Sequence, residues 1–127
     1  MTWYVLDTDV LINASKKREP DSSWILDHLG AGDRLSITAI SVAEFYSGVD
    51  RSQVTPFDEF VAQLPCVGIT RDIATTAGGF RHFFARQGIP LSTTDCLIAA
   101  AAHRQGATLV THNLKDYPMR GVTVVAP

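Results

Sequence analysis

Residues 92–117 read STTDCLIAAAAHRQGATLVTHNLKDY, a helix that feeds a strand. Ser92 or Thr93 caps the helix, the apolar run from Cys96 to Ala102 forms its body, and Gly106 ends it. ATLVT follows at once, short, apolar and β-branched, as a strand buried on both faces is. A helix turning straight into such a strand is the returning half of a βαβ crossover. An acid stands at each functional end: Asp95 opens the helix and Asp116 follows the strand.

Working outward, the same alternation recurs. WYVL is a strand closed by Asp7, and DVLINASKK is a short helix stopped by Pro20. Asp21, Ser22 and Ser23 offer N-caps for SWILDHLGAG, which Gly30 and Gly32 end. LSIT is the second strand. Ser41 stands three residues before Glu44, a capping-box spacing that starts the helix SVAEFYSGV. Thr55 and Pro56 start PFDEFVAQL, and Pro65 stops it. CVGIT is the third strand. DIATTAGGFRHFFARQG is a helix weakened by Gly78 and Gly79, a pair that suits close helix contact. Gly121 precedes a fifth strand, VTVVA. Strands alternating with helices argue for an α/β fold with a mostly parallel sheet covered on both faces. No linker, repeat or low-complexity tract interrupts residues 1–127, so one domain is expected.

In such a sheet the strand C-termini line one edge, where ligands bind. Asp7, Glu44, Asp95 and Asp116 all fall just past apolar runs, so the alternation predicts that they converge there. Like charges about 4 Å apart repel by about 4 kcal/mol at an effective dielectric of about 20. A divalent cation relieves that repulsion, and hard oxygen donors without thiolates suit Mg²⁺ or Mn²⁺. Each acid also has a plainer reading. Asp7 and Asp95 sit where helix-starting acids are favoured, Glu44 completes a capping-box spacing, and Asp116 and Asn113 fit a turn. Asp9 either reaches a metal through water or caps the first helix. Thr8 either donates to a bound phosphate or water, or serves the turn.

The net charge of −2 neither demands nor excludes a nucleic-acid partner. Setting four of the thirteen acids aside as metal ligands leaves nine against eleven Lys and Arg. Eight of those eleven are Arg, the side chain better shaped for phosphate. Arg81 and Arg86 are candidates for RNA phosphate contact, with a solvated helix face as the alternative. Phe80, Phe83 and Phe84 read as core or interface. Cys66 and Cys96 have no zinc spacing and read as reduced core residues, which fits a cytoplasmic protein. No basic start leads into a long apolar stretch, so no signal peptide is expected. The run from Cys96 to Ala102 is far short of the roughly 20 residues that span a bilayer, so no membrane partner is expected. The histidines share no ligand spacing. Only His112, between Thr111 and Asn113, falls near the predicted site.

LDTDVLI, ISVAEFYSGV and STTDCLIAAAAHRQGATLVTHNLKDY, in this order and spacing, resemble the PIN domain. More narrowly they resemble VapC-type ribonuclease toxins of type II toxin–antitoxin modules. The likeness covers nearly the whole chain. It implies a three-layer α/β/α sandwich, with the family's acidic quartet at Asp7, Glu44, Asp95 and Asp116. The family's hydroxyl and amide near the fourth acid match Thr111 and Asn113. Asp9 departs from the Asn or Ser common in the family and adds a carboxylate. The resemblance further implies one or two Mg²⁺ or Mn²⁺ ions, an RNA substrate, a homodimer and a cognate antitoxin. Metal-assisted attack by water on RNA leaves a 5′-phosphate and a 3′-hydroxyl.

Two rivals remain in view. DTDVL resembles the opening of haloacid-dehalogenase-like phosphatases, but Leu11 stands where Thr or Val belongs. None of Lys16, Lys17 and Lys115 precedes an adjacent acidic pair, and a response-regulator receiver fails for want of a suitably placed lysine. A PIN-like module that binds RNA or protein without cutting is the non-enzymatic rival. The filled acidic positions argue against it.

Overall fold

The structure, a computed structural model, describes residues 1–50, 52 and 54–127. β1 (Trp3–Leu6) leads into α1 (Thr8–Ser15) and α2 (Asp21–Gly30). β2 (Arg34–Thr38) leads into α3 (Ala39–Ser47) and α4 (Pro56–Gln63), and β3 (Cys66–Val67) into α5 (Arg71–Ala85) and α6 (Thr93–Arg104). β4 (Thr108–Val110), a 3-10 turn at Leu114–Asp116 and β5 (Val124–Val125) complete the chain. Among the described residues every strand pairing is parallel, in the order β3-β2-β1-β4-β5.

Neighbouring strand residues point to opposite faces, and two cores follow from that alternation. Val5 and Leu109 pack with Ile73, Ala77 and Phe84 of α5 and with α6. Leu6 and Val110 pack with Val10, Leu11 and Ala14 of α1, Ile25 of α2, Phe45 of α3 and Val61 of α4. The result is the three-layer α/β/α sandwich expected. Cys96 and Ala99 to Ala102 are all 0% exposed within this single chain. The small side chains of α6 are therefore core.

The strand order positions the site. The chain begins in the middle of the sheet, works out to β3, then crosses to β4 on the other side of β1. The reversal lies between β1 and β4, where an open α/β sheet forms its ligand crevice. Leu6 is in register with Val110, and the Asp7 amide donates to the Val110 carbonyl at 2.9 Å. Asp7 and Thr111 thus leave the sheet side by side.

Several local expectations change. α3 is capped by Thr38, whose hydroxyl accepts from the Ser41 amide, so the helix starts at Ala39 and Ser41–Glu44 is not its capping box. Both Thr38 and Ser41 have the right spacing; Thr38 wins because it ends β2 in extended geometry. α2 has no side-chain cap, and Asp21 instead turns inward. Gly78 and Gly79 mark no close contact, since a Cβ at either would meet nothing within 4 Å. β3 and β5 shrink to two residues each, as each borders only one neighbour. Cys96 is buried but Cys66, opening β3, is exposed; both are free thiols. No helix among the described residues is long and apolar enough to cross a membrane.

Candidate active site

Asp7 closes β1 and caps α1, and both of its oxygens are engaged. Oδ1 accepts from the Thr8 amide at 2.8 Å. Oδ2 accepts from Thr111 Oγ1 at 2.8 Å and from Tyr117 Oη at 2.9 Å. The cap reading is borne out, and the second oxygen turns to Thr111 and Tyr117. Burial pushes the Asp7 carboxyl up to about 6, and the Asp9 charge adds to it, against the bonds from Thr111, Tyr117 and Thr8.

Asp9 does not cap α1. It lies in the first turn, and its Oδ2 accepts from the His112 amide at 3.1 Å and Asn113 Nδ2 at 3.2 Å. Thr111 Oγ1 lies 3.5 Å from the same oxygen. The other oxygen, Oδ1, is buried without a hydrogen-bond partner among the described residues. Burial raises the Asp9 carboxyl above its ordinary range, opposed first by the His112 amide.

Asp95 comes from the first turn of α6, whose cap is Ser92. Its Oδ1 lies 3.3 Å from Tyr117 Oη, so one phenol bridges two carboxylates from different elements. Tyr117 is 4% exposed, and burial together with the two neighbouring acids holds its hydroxyl protonated well above the ordinary tyrosine range. Sequence reasoning missed this residue. Its hydroxyl supplies the donor that keeps Asp7 and Asp95 together. Tyr117→Phe is expected to lower the stability of the metal-free protein by about 1.5–3 kcal/mol, the worth of a hydrogen bond to a charged group. Urea unfolding in EDTA measures this, and a variant as stable as the wild type would refute the bridge.

Glu44 is exposed and reaches the cluster indirectly, accepting from Thr8 Oγ1 at 2.8 Å. Thr8 Oγ1 also lies 3.0 Å from Ser41 Oγ. Its single proton goes to the carboxylate, which has none to offer. Thr8 thus ties α1 to α3, a role beyond the turn or phosphate contact expected. Asp116 ends the 3-10 turn, half-buried, and its carboxylate makes no hydrogen bond among the described residues. The four predicted acids are therefore not gathered equally. Asp7 and Asp95 share a donor and Glu44 is one hydroxyl away, while Asp116 is not hydrogen-bonded to them among the described residues. Asp9, expected only to support them, is in the centre. Asn113 holds Asp9, a contact that its reading as a turn residue did not anticipate.

Among the described residues, no group of three acidic, cysteine or histidine side chains is placed to hold a metal ion by itself. Mg²⁺ does not demand one; it commonly takes one or two carboxylates and keeps water and substrate oxygens. The buried, unpartnered Asp9 Oδ1 and the all-oxygen donor set fit such a cation. Asp9, with Asp7 or Asp95 beside it, could supply those one or two carboxylates.

Arg81 is partly committed elsewhere, its Nε donating to the Leu91 carbonyl at 3.2 Å just ahead of α6. Arg86 is exposed. Phe84 is core and Phe80 packs against it, but Phe83 is 60% exposed. His28 and His103 bond to backbone carbonyls, as plain structural histidines do.

Residues 4–117 match the PIN domain. The chain belongs to the PIN-domain family. It is 30% identical over 120 residues to Ribonuclease VapC2 of Rickettsia felis, covering 90% of this chain and 89% of that one. With the tRNA(fMet)-specific endonuclease VapC of Shigella flexneri it shares 28% identity over 126 residues, 95% of this chain and 94% of the other. These relatives place this PIN-domain chain in the VapC group. Among solved structures, VapBC2 of Rickettsia felis bound to a promoter DNA fragment superposes with a TM-score of 0.81 at 23% identity, covering 99% of each chain. That likeness shows the PIN fold. The phosphatase and receiver readings end here.

Proposed function

We propose that this PIN-domain protein is a divalent-metal-dependent endoribonuclease, the toxin of a VapBC-type module restrained by a cognate antitoxin. The observation that carries it is the convergence of Asp7, Asp9 and Asp95 at the sheet's switch point, with one buried carboxylate oxygen unpartnered. The names of the VapC relatives supply the substrate class, and the VapBC complexes supply the antitoxin. A bound Mg²⁺ or Mn²⁺ would lower the pKa of an attacking water and offset charge on the phosphate. Asp7, Asp9 and Asp95 would hold it. Thr111, Tyr117 and the amides at 112–113 keep those carboxylates oriented. Glu44 and Asp116 complete the acidic rim, where RNA and its metal-bound waters arrive. Arg86 and the free guanidinium nitrogens of Arg81 are the proposed phosphate contacts. The same reading makes the protein a cytoplasmic homodimer.

The test is incubation of antitoxin-free protein with total cellular RNA in Mg²⁺ or Mn²⁺, with EDTA as control. Discrete cuts with 5′-phosphate ends, abolished by EDTA, are expected. Persistent absence of cleavage by folded protein, with initiator tRNA among the substrates, would favour the non-cutting RNA-binding module.

A further inference from the structure

Asp21 is 1% exposed although it opens a helix, a position where acids ordinarily face water. A buried carboxylate needs partners, and it has two. His112 Nε2 lies 2.7 Å from its Oδ2, and Asn13 Nδ2 donates to the same oxygen at 3.3 Å. A carboxylate only accepts here, so the imidazole carries its proton on Nε2.

His112 also faces the site. Its backbone amide donates to Asp9 Oδ2. Asp9 and Asn13 are four residues apart on α1, hence on one face, one turn above the other. A closed ring results. It runs from Asp9 to the His112 amide, through the His112 ring to Asp21, across to Asn13, and back along α1 to Asp9. The helix backbone is its rigid side. Asn113 Nδ2 adds a second hold on the Asp9 oxygen already inside the ring.

The ring fixes one Asp9 oxygen and leaves the other, Oδ1, buried and unpartnered. We propose that the Asp21–His112 pair is a positioning unit for the metal site, holding the loop after β4 so that Asp9 keeps its free oxygen turned to the cation. This rests on the metal-dependent reading above. Neither Asp21 nor His112 touches the reacting phosphate in this role; both act through Asp9. Partners behind metal ligands of this kind typically govern affinity or activity by 10–100-fold.

The test compares Asp21→Ala, which removes the buried charge, with His112→Gln, whose side-chain amide can still donate to Asp21, in protein whose far-UV circular dichroism matches the wild type. In metal-free protein, hydrogen exchange at the amides of His112 and Asn113 should speed up in Asp21→Ala and stay near wild type in His112→Gln. Mn²⁺ titration should show Kd rising about 10–100-fold in Asp21→Ala, with His112→Gln close to wild type. Cleavage kinetics should show kcat falling with little change in KM for RNA. Unchanged amide protection in Asp21→Ala overturns the proposal, as does an unchanged Mn²⁺ Kd in a protein that binds the ion. If the wild type neither binds Mn²⁺ nor cuts RNA, yet protection still collapses in Asp21→Ala, the nuclease reading fails while the clamp on Asp9 stands.

Discussion

Asp7→Asn is expected to abolish metal-dependent RNA cleavage and, in EDTA at pH 7.5, to stabilise the protein by about 2–3 kcal/mol. The gain follows from the Asp7 carboxyl, held at about 6 against an ordinary 3.8. A folded-state pKa above the unfolded value means that the folded chain binds the proton more tightly. The stability tied to that proton is fully present below about pH 4 and is lost as pH rises through about 6. At 1.36 kcal/mol per unit, the ionised group costs about 3 kcal/mol at pH 7.5. Asparagine carries no charge to desolvate. Its Oδ1 can still accept from the Thr8 amide, and its Nδ2 can donate to the hydroxyls of Thr111 and Tyr117. The advantage should therefore shrink on acidification and vanish near pH 4. Urea unfolding at several pH values measures it, and an advantage that is absent or independent of pH defeats the argument. Mn²⁺ at a thousandfold excess over Kd should reverse the order, because only the wild type gains about 4.1 kcal/mol there. A site that destabilises the empty protein and is relieved by a cation is organised for binding one.

What the sequence disclosed depended on whether the signal was local. Asp7 and Asp95 were readable because each stands at a helix start beside a recognisable strand or run. The sheet followed from alternation, and the two cores from strand periodicity. Glu44 drew a capping-box reading because Ser41 imitates a cap that Thr38 provides. Tyr117 was out of reach because its hydroxyl matters only once β1 and β4 are in register and α6 lies beside them. The signal that could have found it was a polar-tipped aromatic one residue past the last acid. Asp21 resembled an ordinary helix-starting acid among serines. Its burial comes from the loop after β4 arriving 91 residues later, which no window of sequence reports.

Thr111→Val should be the costliest substitution around the site. Thr111 is 0% exposed, and valine has nearly its shape, so packing is retained and only hydrogen bonding is lost. The hydroxyl donates to Asp7 Oδ2 at 2.8 Å and accepts from the Asn113 amide at 3.0 Å. Removing a donor from a buried carboxylate costs about 1.5–3 kcal/mol, and orphaning an amide adds to it, so a loss of about 2–4 kcal/mol in EDTA at pH 7.5 is expected. Thr111 also holds the Asp7 carboxyl down, so its loss raises that pKa further and the cost should be smaller at pH 5. Cleavage should fall by about 10–100-fold, because the loop that orients Asp9 loses its anchor. Thr111→Ser, which keeps the hydroxyl, should recover most of both. The decisive comparison is the double variant. With Asp7→Asn in place there is no charge for Thr111 to serve, so Thr111→Val should cost about 1–2 kcal/mol less than in the wild type. Equal costs in the two backgrounds would mean that Thr111 supports the loop alone, and that the Asp7 charge is stabilised by something other than its neighbour in register.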